Sequence, residues 1–160
     1  MRAVLLFVLA GLAIACRREP TISDTGYAGT WARGTERLRS IVAIKKDDGG
    51  YRFRWSQVSK DERWRLRCDW EGRCEEFFAG KPIARYSFET YVDPATGHLM
   101  VRSARTGATR HGDDHTDLDE LVVEPGGRRL TAYTIEKNGA TFVRGGGPTR
   151  LFEKVSDAVE

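Results

Sequence analysis

The sequence predicts an all-β chain, folded as a small antiparallel up-and-down meander barrel of about eight to nine strands. Three observations carry this. Tyr51, Phe53 and Trp55 alternate with Arg52 and Arg54, and Trp64, Leu66 and Cys68 alternate with Arg63, Arg65 and Arg67. A period of two puts one dry face and one charged face on each strand. Turn signals then punctuate short apolar runs: Asp47-Asp48-Gly49-Gly50, Asp93-Pro94-Ala95-Thr96-Gly97, Pro125-Gly126-Gly127 and Asn138-Gly139. Finally, the chain shows no helical period. Sequential strands joined by tight turns make a meander, and closing it removes exposed edges that invite aggregation. A two-sheet β-sandwich is the alternative arrangement of the same strands.

In chain order, residues 1–15 read as a signal peptide. Arg2 supplies the positive start and residues 4–15 are unbroken apolar sequence, shorter than the roughly 20 residues that span a bilayer. Ala13-Ile14-Ala15 fits an ordinary signal-peptidase site. The same stretch ending at Cys16 resembles the lipobox of bacterial lipoproteins, with Ala13 where Leu is usual and Leu12 one place further back. Both readings cut before Cys16, and lipidation gives that cysteine a purpose. The resemblance implies a thioether-anchored protein of the cell envelope facing the periplasm. Arg17, not Asp, follows the cysteine, which implies the outer membrane. Residues 16–26 are polar, contain Pro20 and form a tether.

The folded domain is expected over residues 27–156. Strands are predicted at 38–46, 51–58, 64–68, 74–78, 83–92, 99–103, 118–123, 128–136, 141–144 and 150–155, with a polar loop over 106–117. The full chain has 160 residues, enough for one domain with an ordinary core, and is 40% hydrophobic and 31% charged. A net charge of +3 without any Lys/Arg run gives no basis for nucleic-acid binding.

Gly29-x-Trp31 on the first strand, the meander that follows, and a final strand carrying Arg150 resemble the lipocalin and calycin barrels. In that family a Trp plugs one end of the barrel and a cation from the end of the chain packs across it. The resemblance implies that Gly29, Trp31 and Arg150 form this plug, with Lys154 as the rival for the cation.

Candidate sites follow from the same pattern. Cys68 and Cys74 flank a short loop in an exported chain and are expected to form a disulfide. Tyr51, Phe53, Trp55, Trp64, Leu66, Tyr86 and Phe88 face inward, as a ligand-binding lining or a packed core. Arg52, Arg54, Arg63, Arg65 and Arg67 form a basic surface, with Arg73 at its edge, suited to anionic headgroups or an acidic protein. His111, His115 and the Asp residues around them lack metal-site spacing and read as a solvated loop, so neither metal nor cofactor is expected. No nucleophile motif points to an enzyme. Two functions remain: a lipocalin-like module carrying a small lipophilic or amphiphilic molecule, or an envelope protein-interaction module, an inhibitor or assembly factor, with a filled barrel.

Overall fold

A computed structural model describes residues 26–159. The expected signal peptide, Cys16 and nearly all of the expected tether lie outside the described residues. The chain forms eleven strands: β1 (Gly29–Gly34), β2 (Leu38–Asp47), β3 (Gly50–Ser59), β4 (Trp64–Cys68), β5 (Arg73–Phe78), β6 (Lys81–Val92), β7 (Leu99–Gly107), β8 (His115–Val123), β9 (Arg129–Lys137), β10 (Ala140–Thr141) and β11 (Thr149–Ser156). Each pairs antiparallel with its neighbour, β9 bonds both β8 and β11, and β11 bonds β1. Ten strands thus close an up-and-down barrel, and β10 lies outside it on β9. The meander reading holds, with a strand count above the eight to nine expected, and the sandwich is excluded by closure.

The local chemistry sets the turns. At the β2–β3 hairpin the Asp47 carboxylate accepts from the Gly49 amide at 3.0 Å, and Asp47 pairs with Gly50, a tight turn made by short polar side chains and glycine. Between β6 and β7 the Asp93 carboxylate accepts from the Ala95 amide and the Thr96 hydroxyl. Asn138, with φ of 49°, and Gly139, with φ of 79°, make the β9–β10 turn, as an Asn-Gly hairpin should. That hairpin yields only the two-residue β10, where a strand over 141–144 was expected. Val143 and Gly146 close a turn, and the glycines beyond give a strand no side chains to pack.

Alternation decides the inside. Trp31, Val42, Ile44, Phe53, Leu66, Cys74, Phe88, Leu99, Val101, Leu121, Leu130, Ala132 and Phe152 form one core cluster. The strands run between two ends. One end, where Gly26 leads into β1, carries the turns at 48–49, 69–72, 93–98 and 124–128; the other carries 35–37, 60–63, 79–80, 108–114 and 142–148. The expected long loop over 106–117 is shorter, because β7 continues to Gly107 and β8 starts at His115. A short 3₁₀ turn at Thr109–His111 crosses the gap.

Candidate functional site

The interior is sealed at the chain-entry end. The Trp31 indole is fully buried and donates to the Tyr27 carbonyl at 2.9 Å. Tyr27 crosses the opening: its hydroxyl donates to the Leu121 carbonyl (2.8 Å) and accepts from the Leu99 amide (3.1 Å). It meets the Tyr51 ring edge-on at 5.4 Å. Burial pushes the Tyr27 phenol above its ordinary pKa, so the hydroxyl stays protonated and able to donate. The cation over Trp31 is Lys154, its Nζ 5.2 Å from the ring centre. Asp157 balances it at 2.6 Å, an ion pair out of line for a hydrogen bond. Arg150, expected in that role, lies four residues away on β11, two inward positions further along. It packs over Trp55 at 5.8 Å and bonds the Asp119 carboxylate. The β1–β11 register explains the correction, because Trp31 pairs with Lys154.

The other half of the interior is polar. Glu76 accepts from the Trp64 indole and from Arg105 Nε at 2.9 Å. The Arg105 and Glu76 side chains are 2% and 3% exposed, so this is a buried ion pair. Arg105 Nη1 also donates to the Gly112 carbonyl at 2.7 Å, tying the 108–114 loop across the barrel mouth. Tyr86 lies under the guanidinium at 6.0 Å. Its phenol is pushed up to about 12, first by burial and then by the Glu76 charge.

Between these two seals lies a cavity of about 20 Å³, lined by Phe53, Trp55, Phe88, Asp119, Arg150 and six aliphatic or aromatic neighbours. That is room for about one water molecule. Of the seven side chains expected to line a ligand site, Phe53, Trp55 and Phe88 touch this space. Tyr51, Trp64, Leu66 and Tyr86 are packed in or against the core cluster instead.

The basic surface lies outside. Arg52 pairs with Asp47 at 2.6 Å, Arg65 with Glu62 at 3.0 Å, and Arg73 with Asp69 at 2.8 Å. Arg54 and Lys45 stack on Trp70 at 4.6 and 4.4 Å, which folds the β4–β5 tip back over the outer wall. Arg63 lies over Phe78 at 5.0 Å. Arg67 faces outward opposite Ser56. Cys68 and Cys74 are joined in a disulfide across β4 and β5, Cα atoms 4.0 Å apart, as expected. His111 packs on Phe78, and no group of three or more metal-ligating side chains occurs among the described residues.

Three features escaped the sequence reading. Glu76 was visible as a charge at an inward position between Cys74 and Phe78, but its partner Arg105 was not. Arg39 was visible as the outward residue between Leu38 and Ser40. The cluster in which Glu120 bonds both His98 (2.6 Å) and Arg144 (2.7 Å) had no sequence signal, because it joins three distant segments. Comparisons with family models, with curated proteins and with solved structures find no match. The fold defines the class: a closed ten-stranded antiparallel barrel, compatible with a lipocalin-like one.

Proposed function

We propose that this is a cell-envelope interaction module: a lipid-anchored barrel, tethered through Cys16 and facing the periplasm from the outer membrane, that meets its partner with its outer wall. The observation that carries the reading is the small cavity between the two seals, about 20 Å³. Pockets that hold small molecules run to several hundred Å³, so a lipophilic cargo would need space that aromatic and charged side chains already fill. The apolar interior is then the core, and its aromatics are there for burial. The working surface is the basic face carried by Arg52, Arg54, Arg63, Arg65 and Arg67, whose charge suits an acidic protein of the inhibitor or assembly-factor kind.

Titration of the full chain with a lipophilic naphthylamine fluorophore tests this. No saturable binding is expected. Saturable binding that quenches Trp55 emission would restore the carrier reading. Cleavage before Cys16 and acylation of its thiol would appear in the intact mass of membrane-fraction protein, whereas an unmodified amino-terminal Cys would remove the anchor.

A further inference from the structure

The outer wall at the end away from Gly26 carries three contiguous grooves of about 400, 400 and 380 Å³. They run across β2, β3, β4 and the start of the β5–β6 turn. Their cations are Arg39, Lys60, Arg63, Arg65 and Arg67, and their single carboxylate is Glu62, which lines all three. Register builds the arrangement: Arg39 pairs with Val58 and Val58 with Arg65, while Ile41 pairs with Ser56 and Ser56 with Arg67. Outward guanidiniums therefore flank a floor of Val58, Ile41 and Ser56. Among the described residues, Arg39 and Arg67 make no ion pair.

We propose that these grooves are the docking channel for an extended acidic segment of a partner protein, with Glu62 occupying the place of a partner carboxylate in the free state. Charge complementarity selects the occupant, since five cations and one carboxylate line the grooves and Glu75 stands opposite Arg67 at their β5 edge. Shape argues for a chain over a membrane, because the cations line concave grooves with Val58 and Ile41 in the floor, which suits alternating acidic and apolar residues. Position agrees on the tether reading: Arg39 pairs with Gly34 at the far end of β1 from the chain entry. Glu62 is displaceable. Its side chain is 63% exposed in the pair with Arg65, and an exposed pair of this kind is weak. The backbone presents it from a left-handed position, φ 57°, in the β3–β4 turn.

This inference rests on the outer wall being the working face, and its test is independent of the interior titration. Four strands about 4.8 Å apart span about 15 Å, the length of four to five extended residues. The probe is a labelled peptide of about six residues alternating Glu and Val, read by fluorescence anisotropy on the full chain, with Lys/Val and Gln/Val peptides as controls. The expected result is binding of the Glu/Val peptide alone. The pair Arg39→Gln with Arg67→Gln should weaken it at least about tenfold, and Glu62→Gln should tighten it about two- to fivefold by removing the internal competitor. Arg102→Gln, on the outside of β7, should change nothing. Equal loss at Arg102, no response to Glu62→Gln, or no binding of the Glu/Val peptide overturns the proposal. So does stronger capture of the protein by vesicles of anionic phospholipid through the same two arginines. Unchanged thermal melts of these surface variants would show that each readout reports binding and not folding.

Discussion

Lys154 lies directly over the Trp31 ring, and Gly29 is what lets it get there. Gly29 has φ of 134°, and a Cβ at that position would come within 2.7 Å of both Lys154 Cε and the Ser156 carbonyl oxygen. The spacing of Gly29 and Trp31 therefore records a close approach of β1 and β11 as well as a plug. Gly29→Ala should force the strands apart and cost at least about 1–3 kcal/mol, combining backbone strain with a clash. Lys154→Ala should cost about 1–3 kcal/mol by emptying a packed site beside an indole. Trp31→Ala should cost about 3–5 kcal/mol. Urea unfolding ranks the three; Lys154→Ala as stable as the wild type would show that the cation does not contribute to the seal.

The disulfide closes only six residues of sequence separation. Chain-entropy reasoning gives a gain of about 2 kcal/mol for so small a loop. Reduction should lower the unfolding free energy by about that amount while leaving the far-ultraviolet β signal intact. The hairpin has other anchors: the Gly72 carbonyl accepts from the Phe88 amide at 2.7 Å, and Trp70 is held by Lys45 and Arg54. Global unfolding on reduction would contradict this.

Glu76 and Arg105 form the buried ion pair of the polar half. Removing one partner strands the other in a dry site, at about 3–5 kcal/mol. Glu76→Ala should therefore destabilise far more than Glu62→Ala, which breaks an exposed pair worth at most about 1 kcal/mol. Glu76→Gln keeps the shape and an acceptor for the Trp64 indole, so its cost should fall between the two. Comparable small losses for Glu76→Ala and Glu62→Ala would mean that water reaches the Arg105 site.

The barrel was legible in the sequence where one side of a strand was dry. Tyr51 to Trp55 and Trp64 to Cys68 alternate without exception, so strand and facing followed directly. Closure was an inference from turn chemistry, and the largely polar 106–117 segment hid the ends of two long strands, β7 and β8. Arg105 and Asp119 point inward despite being charged, since Glu76 and Arg150 on other strands pair with them, and such pairings leave no mark in the sequence. The choice between Arg150 and Lys154 was open because two inward cations on one strand differ only in register. The volume of the interior could not be read at all, because it depends on how the side chains of ten strands interdigitate.

Acid should loosen the outer clasp formed by Glu120, Arg144 and His98. The Arg144 hydrogen bond, aided by His98, holds the Glu120 carboxyl below its usual range. A depressed carboxylate pKa means the folded state binds fewer protons than the unfolded one. Its stabilising contribution is therefore complete above the unfolded pKa and is lost as pH falls through the folded one. Asp47, Asp61, Asp69 and Asp93 are depressed as well, so only a difference between proteins isolates the clasp. Stability measured from about pH 6 down to about pH 3 should fall less steeply in Arg144→Gln than in the wild type. Parallel curves would show that the clasp contributes nothing to acid sensitivity.

The packed interior is tested most directly by overfilling it. Ala132 is buried on β9 and lines the small central cavity. Ala132→Leu adds three carbons to a space that holds about one water molecule. In a filled barrel this overpacks the core and should cost about 1–3 kcal/mol in urea unfolding, with the β signal retained. An Ala132→Leu protein as stable as the wild type, or more stable, would reveal a spacious interior and contradict the account.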